Sequence, residues 1–363
     1  GRLYQQTDQR ERIVRLDLQG TAQMDSLRQW LDIPQLSLAK GTAPYALHLQ
    51  LRPVSSRNAS GFFVTSSLNG VEFDLPSPFG KTAAETREFM FQQQWQADLR
   101  SSRIEYADAG TVVWELQNGR FQRGAVRLGS GEPRYSARSP WALTGALNAF
   151  RWEEWAPFIE RMRSSQNSMA SDEGLAGLKA FGDSSLTVAH INVDDTDFGP
   201  LQFTTSADVN MVTVGVSGER LRGQIGLPLT YLSAPGKRSA ETPVAVYVQK
   251  LVLPVPSDQE AAPVIKEADS LPPPASIDPR LLPNTHLRID QLSIGDTDMG
   301  RYSATLQATS AGVKSDDLRF GLRQVDFSGN LQWEQHDGQA LTRFTGKGMA
   351  KNAADVLAEW GYT

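Results

Sequence analysis

Five aspartates in this chain could do chemistry. Asp194, Asp195 and Asp197 precede Gly199; Asp296 and Asp298 precede Gly300. Acidic loops closed by glycine are the raw material of calcium sites, which need roughly six to eight oxygen ligands. Gly295 stands in the second loop where the first has Asp194, and no glutamate follows at the closing position of an EF-hand. The alternative is a turn used twice. Aspartate favours turns by bonding the nearby backbone, and glycine supplies a positive φ. After each loop the same alternation resumes: Leu201, Phe203 and Thr205 in one copy, Tyr302, Ala304 and Leu306 in the other. The pattern favours a repeated hairpin turn over a metal site.

Other chemistry is thin. His48, His190, His286 and His336 lie far apart. Glu153 and Glu154 are adjacent on a helical pattern and point in different directions, which a glycosidase pair cannot do. No Gly-x-Ser-x-Gly elbow exists. With 0 cysteines, disulfides and thiolate metal sites are excluded. Lys and Arg are scattered singly at a net charge of −5, which argues against nucleic acid as a partner. The expectation is a protein that is not an enzyme and carries no cofactor.

The elements that must position any site are strands. Apolar residues alternate at Tyr45, Leu47, Leu49 and Leu51; at Phe89, Phe91, Trp95 and Leu99; at Val112, Trp114 and Leu116; at Val212, Val214 and Val216; and at Leu318, Phe320 and Leu322. One apolar and one polar face per strand marks an antiparallel sheet wetted on one side. Turn signals at Asn118-Gly119, Ser217-Gly218 and Asp337-Gly338 separate the runs. Short helical stretches carry Trp30, Trp155 and Trp360 after Gly20, Gly145 and Gly348. The middle one places Trp152, Trp155, Ile159 and Met162 on one stripe. These helices are expected to pack their tryptophans on the sheet's apolar face or rim. Residues 254–283 are Pro-rich and aperiodic, an irregular excursion from one sheet.

The expected fold is therefore mostly β with a few short helices. Residues 1–31 read as the end of one unit, 32–163 as a second and 164–363 as a third, each with a closing helix. An apolar sheet face must be covered. A second sheet would make a sandwich or barrel with a plain core. A sheet of a dozen or more strands curled along its length would instead make a groove.

The stretch from Gly41 and Tyr45 through Ser66, Leu68 and Gly70 to Asp74-Leu75-Pro76, Pro78-Phe79-Gly80-Lys81 resembles YhdP-type members of the AsmA-like family (YhdP, TamB, YdbH). So do "IDPRLLPNTHLRIDQL" and "FSGNLQW" downstream. The Pro-rich loop is longer than that family's pattern. The resemblance implies an elongated, twisted antiparallel sheet curled into a hydrophobic groove, a β-taco. It implies a periplasmic, interior piece of an inner-membrane-anchored protein of a Gram-negative bacterium, with its N-terminal anchor outside this sequence. It further implies phospholipid transport from inner to outer membrane, with acyl chains as the partner. The rival is an envelope scaffold or assembly factor with protein partners. On the groove reading the lining is Leu47, Leu49, Phe89, Phe91, Trp95, Val112, Trp114, Leu116, Phe203, Val212, Val214, Val216, Leu306, Leu318, Phe320 and Leu322.

Overall fold

The computed structural model describes residues 1–8, 11–31, 37–53, 55–166, 180–193, 196–230, 242–255, 278–322, 325–336, 339–350 and 352. The chain divides into two compact units, one over Gly1–Ala170 and Ala180–Asp197, the other over Ser171–Lys179 and Phe198–Thr363. The segments expected around Trp360 and at Asp337-Gly338 lie outside the described residues, as do Asp194, Asp195 and the side chain of Met162.

The first unit contains β1 (Arg2–Asp8), β2 (Glu11–Gln23), α1 (Met24–Leu31), β3 (Ala39–Leu51), β4 (Ser60–Ser66), β5 (Val71–Phe73), β6 (Phe89–Gln96), β7 (Leu99–Tyr106), β8 (Gly110–Gln117), β9 (Arg120–Leu128), β10 (Trp141–Arg151), α2 (Trp152–Gln166), β11 (Asp183–Val193) and β12 (Thr196–Asp197). Apart from β5, which flanks the start of β3, strands β1 to β11 pair in chain order. The second unit contains β13 (Leu201–Ala207), β14 (Met211–Gly218), β15 (Leu221–Pro228), β16 (Val244–Leu253), a 3-10 turn (Pro279–Leu281), β17 (Thr285–Ile294), β18 (Thr297–Ala308), β19 (Gly312–Leu322), β20 (Val325–His336) and β21 (Gln339–Ala350). Strands β13 to β21 also pair in order. At ~4.8 Å between strands each sheet is roughly 40 Å across. Each is unclosed and curls about its apolar face into a groove.

The sheets are mixed rather than antiparallel throughout. β9–β10, β10–β11 and β16–β17 are parallel pairs. A parallel neighbour cannot be reached by a tight hairpin; the chain must cross back over the sheet. That requirement accounts for the three long connections: the segment between Leu128 and Trp141, the passage through α2, and the Pro-rich stretch between Leu253 and Thr285.

The repeated acidic loops are hairpin ends. Val193 pairs with Thr196 and Ile294 with Thr297. Gly199 and Gly300 hold φ of +72° and +82°, and the Asp298 carboxylate accepts the Gly300 N–H at 2.8 Å. The Asn118-Gly119 turn has φ of +53° and +74°, the signature of a type I′ hairpin. One parity reading fails. The β6–β7 turn pairs Gln96 with Leu99, so Leu99 lies on the polar face and Arg100 takes the place beside Trp95. A two-residue hairpin resets the alternation, which a straight count through the turn misses.

Candidate functional site: an apolar groove face in each unit

Directly opposed residues in a sheet share a face. In the first unit Leu18, Leu47, Val64, Phe91, Ile104, Val112, Val126 and Leu143 are opposed, each to the next. This is an unbroken apolar row across eight strands. Leu49 and Phe62 lie in the adjacent row with Trp114. Phe89 lies on the far side of Phe91, opposite Ser66 and Tyr106. Trp95 and Leu116 are both opposed to Arg100. In the second unit Phe203, Val216, Gly223, Val248, Ile289, Tyr302, Phe320, Phe327 and Gly348 form a row across nine strands. Beside it runs the row Thr205, Val214, Ile225, Val246, Leu287 and Ala304. Val212 opposes Leu227, Leu306 opposes Thr285, Leu318 opposes Gly329 and Leu322 opposes Val325. The sixteen lining residues read from alternation thus fall on one face within each unit.

Sequence reading missed other members of these rows. Phe62 was hidden by its neighbour Phe63, because a Phe-Phe doublet shows no parity; Phe63 points to the polar face, where it stacks on His48 at 4.6 Å. Ile104, Val126, Val248 and Ile289 sit in strands whose polar residues blur the alternation.

The rows have a distinctive burial. All eight residues of the first are half-buried, neither sealed nor exposed. A sandwich core would bury them; a flat sheet would expose them. Their aromatic rings touch across strands: Phe62 meets Phe91 edge-on at 5.6 Å and Trp95 at 6.3 Å, and Phe91 stacks on Trp114 at 6.3 Å. In the second unit Phe320 stacks on Tyr302 at 5.8 Å and on Phe327 at 4.7 Å. Gly124, between Trp114 and Trp141 in register, makes room for a ring: a Cβ there would come within 2.4 Å of the Trp141 indole. Gly124→Val should therefore displace Trp141 and destabilise the first unit by about 1–3 kcal/mol, read as a lower urea midpoint with loss of indole fluorescence asymmetry.

The opposite face carries the charge. Arg103 pairs with Glu132 at 2.9 Å, Arg123 with Glu115 at 2.7 Å and Arg288 with Asp290 at 2.7 Å. His48 meets Asp17 at 2.7 Å in a shallow polar concavity that also includes Arg15, Arg52 and Gln92. His190 meets Asp197 at 2.9 Å. Among the described residues no three His, Cys, Asp or Glu side chains group as metal ligands.

One rim of the first unit's groove is closed. Met24 of α1, Ala39, Ala43, Leu68 and Val71 form a buried cluster, with Phe89 and Tyr106 of the groove face packed against it. The segment from Ser67 to Glu88 supplies the closure, and Lys81 is its pin. Lys81 is 5% exposed; its ammonium donates to the carbonyls of Leu68 at 2.9 Å, Thr82 at 2.8 Å and Val71. Burial pushes its pKa below the ordinary lysine value, with the Glu85 carboxylate opposing. Gly80 has no room for a side chain, since a Cβ would lie 1.9 Å from the Leu75 carbonyl oxygen. Arg87 donates to the Pro78 carbonyl at 2.5 Å and Tyr106 to that of Phe79 at 3.0 Å. The Asp-Leu-Pro-x-Pro-Phe-Gly-Lys signature is thus a structural knob.

α2 docks on this knob. Trp155 meets Phe79 edge-on at 6.1 Å and stacks on Phe150 at 5.6 Å, and Arg161 reaches Asp74 at 3.1 Å. The expected stripe is corrected: the docked side runs through Trp155 and Phe158, which leaves Trp152 45% and Ile159 46% exposed. Trp155→Ala should cost about 2 kcal/mol, below the usual range for a core aromatic because the ring is half-buried; chemical denaturation measures it. Trp30 also departs from expectation. It is 80% exposed, because α1 uses Met24 and Leu27 for its contact with the cluster.

The other rim is open. Val14, Leu51 and Phe121, at the far ends of their strands, are 39%, 38% and 40% exposed. No described helix is long and apolar enough to cross a membrane.

No curated protein and no solved structure matches the chain. A family does, over residues 3–363. With nearly the whole sequence covered, including both groove faces and the lysine-pinned knob, the chain belongs to the YhdP protein family, a family of envelope proteins.

Proposed function

We propose that this chain carries phospholipid between the inner and outer membranes of the bacterial envelope, acting as a periplasmic segment of an inner-membrane-anchored protein and catalysing no reaction. The observation that carries this reading is the pair of apolar rows, registered across eight and nine strands and left half-buried except at Gly348 of the last strand, which is exposed. Acyl chains laid on such a face lose contact with water at ~25 cal/mol per Å². The gain is spread along the row, so a lipid is held without being trapped at one point. The open rim leaves a headgroup in water, where it keeps its hydration.

Native mass spectrometry of the purified chain tests the proposal. Co-purified phospholipid that detergent exchange removes supports it. A lipid-free protein that gains no mass on incubation with phosphatidylethanolamine vesicles contradicts it, and favours the scaffold reading.

A further inference from the structure

Among the residues that strand register places on the groove face of β2–β9 and β13–β21, and whose side chains are described, one carries charge: Arg100. It lies at the open rim of the first unit, opposed to Trp95 on one side and Leu116 on the other. It is exposed, and among the described residues its guanidinium has no hydrogen-bond or ion-pair partner. Arg103 and Arg123, by contrast, lie on the opposite face and are paired with Glu132 and Glu115. The next position inward on the same face is polar as well: Gln93 donates to Ser102 at 3.1 Å, and Ser102 is 4% exposed.

An unpaired cation beside an indole, at the wet edge of an apolar face, has the chemistry of a lipid–water boundary. The guanidinium forks onto phosphate oxygens, and tryptophan settles where an apolar body meets a polar edge. We propose that Arg100 is a headgroup station: it holds the phosphate of a phospholipid whose acyl chains lie on the Phe91 and Trp114 side. This rests on the lipid-carrier reading and adds to it a fixed point of register for the headgroup. Gln93 and Ser102 give the glycerol ester region a polar neighbour just inside the rim.

The test compares three probes on the whole chain by isothermal titration calorimetry: dihexanoyl-phosphatidylglycerol, dihexanoylglycerol with the same chains and no phosphate, and inorganic phosphate. Arg100→Gln is expected to weaken the phospholipid about five- to tenfold and to leave dihexanoylglycerol unchanged, with Arg100→Lys intermediate. Circular dichroism checks that each variant folds. Equal affinity of wild type and Arg100→Gln for the phospholipid overturns the station while leaving the carrier reading intact. Inorganic phosphate binding as tightly as the phospholipid, with the same dependence on Arg100, also overturns it, in favour of a plain anion site. Failure of both lipids to bind the wild type removes the carrier reading itself.

Discussion

Replacing Lys81 by alanine is expected to destabilise the first unit by about 3–5 kcal/mol through the loss of several buried hydrogen bonds from one charged donor. The ammonium donates to the carbonyls of Leu68, Val71 and Thr82. Those of Leu68 and Thr82 also accept backbone N–H groups, from Val71 and Glu85, at 3.2 Å each. The loss is therefore chiefly that of hydrogen bonds to a charged group, worth about 1.5–3 kcal/mol apiece, less the cost of burying the ammonium. Water cannot easily substitute at a site 5% exposed. Lys81→Met separates the two contributions of the side chain. It keeps the aliphatic stem and removes the donors, so it should lose nearly as much as alanine. A methionine variant as stable as wild type would mean the stem's packing is what matters. Urea denaturation measures both, and hydrogen exchange should place the loss at the Ser67–Glu88 segment and the adjoining ends of β6 and β7.

That lysine marks the limit of what the sequence discloses. Its motif is specific enough to point to a family, yet nothing in the residues says that the lysine faces three carbonyls or that Phe79 is a seat for Trp155. Those contacts join positions far apart in the chain, and a single sequence carries no signal for them. The lining of the groove is the opposite case. Alternation in β8 or β14 is local, so Val112, Trp114, Val214 and Val216 can be placed on one face by counting. Counting fails where the chain turns, as at Leu99, and where a doublet hides the parity, as at Phe62. The parallel pairs were hidden too. A strand in a parallel pair has the same composition as its antiparallel neighbour; the only trace is the length of the connection that precedes it.

The second large effect concerns transport. Val214→Asp is expected to leave the chain folded and to abolish lipid passage in the full-length protein. Val214 is half-buried on the groove face, opposed to Thr205 and Ile225, and Ile225 is 42% exposed. A carboxylate there can reach water instead of being entombed, so the fold survives. It carries its hydration shell into the path of the acyl chains, and stripping that shell costs several kcal/mol, on the order of the penalty for burying an unpaired charge. Thr213→Asp, one residue away, points to the opposite face and should transport as wild type does. The comparison holds strand, depth and mutant residue constant and changes only the face. Outer-membrane phospholipid delivery reads the effect, with circular dichroism as the folding check. Loss of transport in both variants, or in neither, would remove the link between face and function.

The most direct test of the groove as a lipid path is photocrosslinking in living cells from paired positions on the two faces. A photoreactive residue is placed at Phe91, Val214 or Phe320 on the groove face, and at Gln92, Thr213 or Arg319 on the other. Phospholipid adducts are expected from the first three positions and background from the second three. Equal yields from both faces, or none from Phe91, Val214 and Phe320, would contradict it.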